Sequence, residues 1–164
     1  MGMDLPSELI GLLGVLGFTW PESDEESLFA LAGEWTGMAD KIGPRVEELQ
    51  EAARLLVEGN RGAEIDAFQT EWEHEESPPA NLRDAAEPAL VINIGLTIAA
   101  ALVLALKIQV IVQLVVLTVQ IAWAIATAAV TFGASLAQIP VFKKIAGLII
   151  DQLIGMATTK ILNG

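Results

Sequence analysis

KIQVIVQLVVLTVQIAWAIATAAVTFGASLAQIP, residues 107–140, carries one charge, and that charge is its first residue. How this tract is buried decides the fold. Lys107 is the only charged residue between Glu87 and Lys143, no proline falls between 89 and 139, and no glycine between 96 and 132. Pro88 suits the first turn of a helix, where its missing N–H is not needed. The pattern therefore predicts one continuous helix over 88–132. At about 1.5 Å per residue it would be on the order of 65–70 Å long, roughly twice the ~30 Å core of a bilayer. Two spanning helices would need a turn near the middle, and KIQVIVQ offers no turn residue.

The polar residues of the tract form two stripes. At about 100° per residue, Gln109, Gln113, Gln120, Thr127 and Thr131 fall within roughly 40° of one another. Asn93, Thr97, Lys107 and Thr118 lie on the opposite side. A helix facing only lipid has no use for such stripes. A helix in a bundle does, because amides and hydroxyls pair across helices or line a channel. Three readings stay open: a buried helix with its polar groups satisfied locally, a polar-lined channel wall, and a simple lipid span. So much apolar surface must be buried somewhere.

After GAS at 133–135 and Pro140, a last helix is predicted over 140–162. Val141, Ile145, Leu148, Ile149, Leu153 and Met156 share a face, with Lys143, Lys144, Asp151 and Lys160 mostly off it. This is an amphipathic helix suited to folding back on the long one or to meeting a partner chain.

Upstream, the chain changes character. WPESDEESLF opens a helix: Ser23 and Glu26 have capping-box spacing, and Asp24, Glu25 and Glu26 place negative charge at the positive end of its dipole. Leu28, Trp35, Ile42, Leu49 and Leu56 are seven apart, as are Ala32, Ala39, Val46 and Ala53. This is a two-stripe seam for packing along another helix. Gly43-Pro44 interrupts it and should kink the helix. Gly59, Asn60 and Gly62 tolerate the left-handed conformations that end helices. Ile65, Phe68 and Trp72 then share one face of a second helix, which SPP at 77–79 ends. Residues 23–77 thus read as a helical hairpin, with Leu28, Trp35, Ile42, Leu49, Leu56, Phe68 and Trp72 holding it together.

LIGLLGVLGF, residues 9–18, has the length of a signal-peptide apolar core, but Asp4 and Glu8 stand where Lys or Arg should, and no A-x-A site follows. Residues 1–22 are instead expected to be an apolar segment packed on the body, without a cleavable signal peptide.

Composition narrows the function. The chain has 164 residues, enough for a single helical domain with a sizeable core, and it is 53 % apolar with a net charge of −12. That charge excludes nucleic acid as a partner, because phosphate binding needs clustered Lys and Arg. There is no cysteine, hence no disulfide framework. His74 is the only histidine, so no catalytic triad with a second histidine exists, and EWEHEE lacks the spacing of a zinc site. GNRG lacks the Lys-Ser/Thr of a phosphate loop. No catalytic residue, metal, cofactor or small-molecule substrate is expected.

MGMDLPSEL at the start, WPESDEESLFALAGEW, the turn GNRGAEIDAFQTEW and the block QIAWAIATAAVTFGASLAQIP together carry a resemblance. Over essentially the whole chain, the sequence resembles the WXG100-like N-terminal domain of actinobacterial polymorphic toxins. That domain also forms the N-terminal part of outer-membrane channel and necrotizing-toxin proteins of type VII secretion. The resemblance implies a non-catalytic delivery module at the front of a longer toxin, with the passenger after Gly164. It also implies pairing with a small helical WXG100-type partner or a second copy, recognition by type VII machinery, and a secreted or envelope-associated location. Members have also been regarded as membrane channels. The turn reads Val57-Glu58-Gly59 where the family has Trp-x-Gly, and the chain has no tyrosine for the usual Tyr-x-x-x-Asp/Glu signal, so a partner would supply both.

The expected fold is all-α: a hairpin running on into a very long apolar helix, with an amphipathic C-terminal helix packed back, in an elongated bundle. Gln109, Gln113, Gln120, Thr127 and Thr131 are the expected partner-pairing or pore-lining residues. A membrane-inserting channel and a self-assembling helical scaffold are the alternatives.

Overall fold

The computed structural model describes residues 2–163, and among them the regular structure is entirely helical. In chain order the helices are α1 (Ser7–Val15), α2 (Glu25–Gly59), α3 (Ala63–Trp72), α4 (Pro78–Asp84), α5 (Ala86–Ala126) and α6 (Ile139–Asn163). A short 3-10 turn, Ala134–Gln138, precedes α6. The chain forms two compact units. One comprises the residues up to Ser27 and those from Ala99 onward; the other is Leu28–Ile98.

Leu28–Ile98 is a helical hairpin. Its first arm continues without a break past Pro44, which lies inside α2. The turn uses less left-handed backbone than the sequence allows: Gly62 takes φ 137, whereas Gly59 and Asn60 do not enter positive φ. Asn60 acts through its side chain instead, Nδ2 donating to the Leu56 carbonyl at 2.8 Å, which satisfies one of the open carbonyls at the end of α2.

The return arm is not one helix over 63–77. Helix α3 stops at Trp72, Ser77 precedes α4 with prolines in its first turn, and α5 follows almost at once. Phe68 and Trp72 stack, with ring centroids 5.3 Å apart, beside Ala53 and Val57. Leu82 lies near Met38 and Ile42, and Asn93 Nδ2 donates to the Ala32 carbonyl at 2.7 Å. The partners step apart evenly on either side of the turn, as antiparallel arms require.

Burial on α2 falls on Ala32, Ala39, Ile42, Val46 and Ala53. The small stripe is therefore the packed one, because alanines let the return arm approach closely. Of the large stripe only Ile42 is buried; Leu28 and Trp35 are half-buried, and Leu49 and Leu56 are 42 % and 43 % exposed. The expectation that Leu49 and Leu56 lie in the hairpin core is thus corrected.

The other unit is built from α1, the C-terminal part of α5, and α6. Leu5, Leu13, Val110, Leu114 and Ile150 form its core, with Leu9, Leu12, Leu16, Phe18, Trp20, Leu106, Ile111 and Ile154 packed around it. Residues 9–18 therefore do pack on the body. Helix α6 folds back through Ala146 and Ile150, both buried. This differs from the face expected. Val141, Ile145, Leu148 and Met156 are all at least half exposed, because α6 is apolar on more than one side and α1 and α5 cover only one of them.

Helix α2 begins at Glu25, and Asp24 Oδ1 accepts the Ser27 N–H at 3.1 Å. Asp24 is therefore the cap, one residue beyond Ser23.

Helix α5 ends at Ala126 and not at 132. A run of hydroxyls marks that end. Thr127 Oγ1 donates to the Trp123 carbonyl (2.9 Å), Thr131 Oγ1 to the Thr127 carbonyl (3.0 Å) and Ser135 Oγ to the Ala124 carbonyl (2.7 Å). The Trp123 and Thr127 carbonyls also accept the N–H groups of Thr127 and Thr131, whereas the Ala124 carbonyl has lost its helical donor, the Ala128 N–H, to Ile125 and takes the Ser135 hydroxyl in its place. Gly133, at φ 84, then turns the chain toward α6. Ser135→Ala should cost about 1 kcal/mol by removing the bond to Ala124, measurable by chemical denaturation, with Ser135→Thr restoring most of it.

Candidate functional site

The tract's one charge is the centre of a buried cluster. Lys107 is 3 % exposed, and its Nζ lies 2.7 Å from Glu25 Oε2, whose side chain is equally enclosed. Glu25 Oε1 accepts the Met3 N–H. Trp20 presents its ring to Lys107, 5.8 Å from centroid to Nζ, and donates Nε1–H to the Met3 carbonyl at 3.3 Å. The chain before α1 is thus drawn over the ion pair. A Cβ at Gly2 would meet Glu25 Oε2 at 2.7 Å, so a glycine is needed for that approach.

The chemistry of the cluster is structural. Burial, the largest single influence on the Glu25 carboxyl, acts to raise its pKa. The hydrogen bonds from Lys107 and Met3, with the Lys107 charge, outweigh it and hold the pKa below the ordinary 4.5. Glu25 therefore stays ionised and cancels Lys107. An apolar helix can keep a lysine in its middle only if something does this.

The two polar stripes of α5 have changed roles. The stripe with Asn93, Lys107 and Thr118 carries the internal bonds, Thr118 Oγ1 donating to the Leu114 carbonyl at 2.8 Å. Thr127 and Thr131 serve the end of the helix. Gln109 is exposed, Gln113 and Gln120 are half-buried, and among the described residues none of these three amides has a hydrogen-bond partner. They are the part of the expected site left available to something outside the chain. Phe68 and Trp72 line a groove of about 1080 Å³ in the hairpin, bordered by Glu73, Glu75 and Glu76.

The largest feature is uncovered apolar surface. Two stretches, Pro78–Ala126 and Ala134–Asn163, are long and apolar enough to cross a membrane, and only 17 % and 11 % of their most apolar windows are buried. Of the tract's three readings, burial by its own chain is the one this disfavours: α1 and α6 cover one strip of it and leave the rest open.

Glu25 escaped the sequence reading as a partner for Lys107. A lone lysine in an apolar tract signals that a carboxylate must exist, but the pair is 82 residues apart, and the first half of the chain supplies many acids.

Residues 3–148 match the WXG100 like domain family. No curated protein and no solved structure matches the chain.

Proposed function

The chain is a member of the WXG100-like domain family, and on that premise we propose that it is a non-catalytic targeting and delivery module of type VII secretion. Its passenger is a polymorphic toxin, as the resemblance over essentially the whole chain implies. It acts by pairing its hairpin with a small helical partner or a second copy.

One observation carries this reading. Leu31, Met38, Leu49 and Leu56 are 47 %, 47 %, 42 % and 43 % exposed, and at about 100° per residue they lie within roughly 20° of one another. They form an apolar edge beside the buried alanine seam. The apolar face of α2 is wider than its own return arm covers, which suits a second helix packed alongside.

The test is export. The chain fused before a reporter should leave a bacterium that has type VII machinery only when a WXG100-type partner is co-expressed, because the chain's own turn and tyrosine-free sequence lack the usual signals. Leu49→Asp with Leu56→Asp should abolish export and co-purification of the partner while leaving helix content unchanged. Export insensitive to both the partner and the substitutions would overturn the reading.

The low coverage of α5 and α6 supports a second reading, membrane insertion of the unit they build. The two readings are compatible, since a delivery module has an envelope to cross.

A further inference from the structure

The two most exposed of the large apolar side chains, Val130 and Phe132, stand where α5 meets α6. Trp123 is 71 % exposed, Val130 82 % and Phe132 99 %, with Ile125, Leu136 and Val141 also open. Phe132 adopts φ 50, and no other described non-glycine residue has positive φ. An aromatic residue takes that backbone conformation at a cost, and here the ring is left standing in the open. From Ile108 to Phe142 there is no charged residue, and Lys143-Lys144 follows directly.

Much of the backbone of this turn is bonded internally. The N–H groups of Thr127, Ala128, Thr131, Gly133, Ala134 and Leu136 donate to carbonyls within 123–133. Ser135 N–H donates to Thr131 Oγ1 at 3.2 Å, and Ser135 Oγ, itself buried, closes on Ala124. Broken helix is tolerated at membrane depth only when its polar groups find partners inside the protein.

We propose that residues 123–142 form a bilayer-docking tip: Trp123, Val130 and Phe132 enter the lipid first, while Lys143 and Lys144 meet anionic headgroups at its edge. This rests on the membrane reading above and names the segment that makes first contact. A second copy is the weaker occupant, because protein interfaces in water carry a polar, solvated rim, whereas this surface has no charge for 35 residues until the lysine pair, whose sign complements anionic lipid.

The chain has no cysteine, so Phe132→Cys and Leu49→Cys each give a single site for an environment-sensitive nitrobenzoxadiazole probe. Vesicles of phosphatidylcholine with phosphatidylglycerol should raise emission at position 132 several-fold. Nitroxide on the acyl chains should quench it, and position 49 should not respond. Val130→Asp with Phe132→Asp should lower vesicle partitioning at least about tenfold with an unchanged circular dichroism spectrum, since neither side chain packs. If the unsubstituted chain floats with vesicles but the probe at 132 stays dim, or the double variant floats equally, the tip proposal falls and the membrane reading stands. If the chain does not float, both fall. Emission at 132 that rises with protein concentration alone would assign the tip to a second copy and overturn the proposal.

Discussion

Lys107→Met is expected to destabilise the unit built on α1, α5 and α6 by about 3–5 kcal/mol at neutral pH, the usual cost of leaving one member of a buried pair alone. The methionine fills the lysine's volume and introduces no new polar group, so the loss is that of Glu25's counter-charge. Glu25→Gln should be comparably damaging, because it strands the ammonium beside Trp20. The double variant, Glu25→Gln with Lys107→Met, should recover most of the loss, since it removes both charges together. Urea denaturation of the four proteins, arranged as a double-mutant cycle, measures the coupling. Equal losses that simply add would show that the 2.7 Å contact contributes little.

The pH dependence has a definite sign. In the native chain the Glu25 pKa is below its ordinary 4.5. The folded state therefore holds the proton less tightly than the unfolded one, and the pair's contribution is fully present above pH 4.5 and lost as the pH falls through the lower folded value. In Lys107→Met, burial acts on Glu25 with its main opponent removed, and the pKa rises. That variant should become less stable as the pH climbs above the ordinary glutamate range. The expected result is a native stability that rises up to about pH 4.5 and is then flat, against a variant stability that falls above that pH, and parallel profiles would contradict it.

The second large effect is in the core of the same unit. Leu114 and Ile150 have no exposed surface. Leu114→Ala or Ile150→Ala should each cost about 2–5 kcal/mol, through lost transfer energy and the cavity left behind. Leu49→Ala on the hairpin should cost less, under about 1 kcal/mol, because that side chain is 42 % exposed. Seven-residue periodicity alone assigns Leu49 the larger loss. Thermal or chemical denaturation of the three variants decides between spacing and observed burial.

The difference at Leu49 shows how far the pattern is legible. Both stripes of α2 recur every seven residues, and a repeat of that kind states that the helix has a face without stating where on the face its partner lies. The return arm settled on the alanine side, where backbones come closest, and left Leu31, Met38, Leu49 and Leu56 at the edge. The same holds for α6. Apolar residues run along more than one side, and the sequence does not say which side meets α1 and α5; Ala146 and Ile150 do.

Hydroxyls misled in a different way. Thr127 and Thr131 continue the stripe of Gln109, Gln113 and Gln120 in angle, which invites a shared role. A threonine, unlike a glutamine, reaches its own helix's carbonyls, and here both threonines do so beside Ser135, where α5 ends. Among the described residues the glutamine amides are left without partners.

The sequence by itself determined that this chain is helical, that an acidic hairpin precedes a nearly uncharged tract, that the turn falls at residues 59–62, and that a short apolar segment near the start packs on the body. Each follows from local rules: periodicity, caps, and the rarity of Gly and Pro. The tertiary structure alone decided that Glu25 neutralises Lys107 across 82 residues, that the alanine stripe is the packed one, and that the joint between α5 and α6 presents Phe132 almost bare. These are choices among faces and partners that the local rules leave equal. They turn on which surfaces come close enough to exclude water, and no segment carries that information alone.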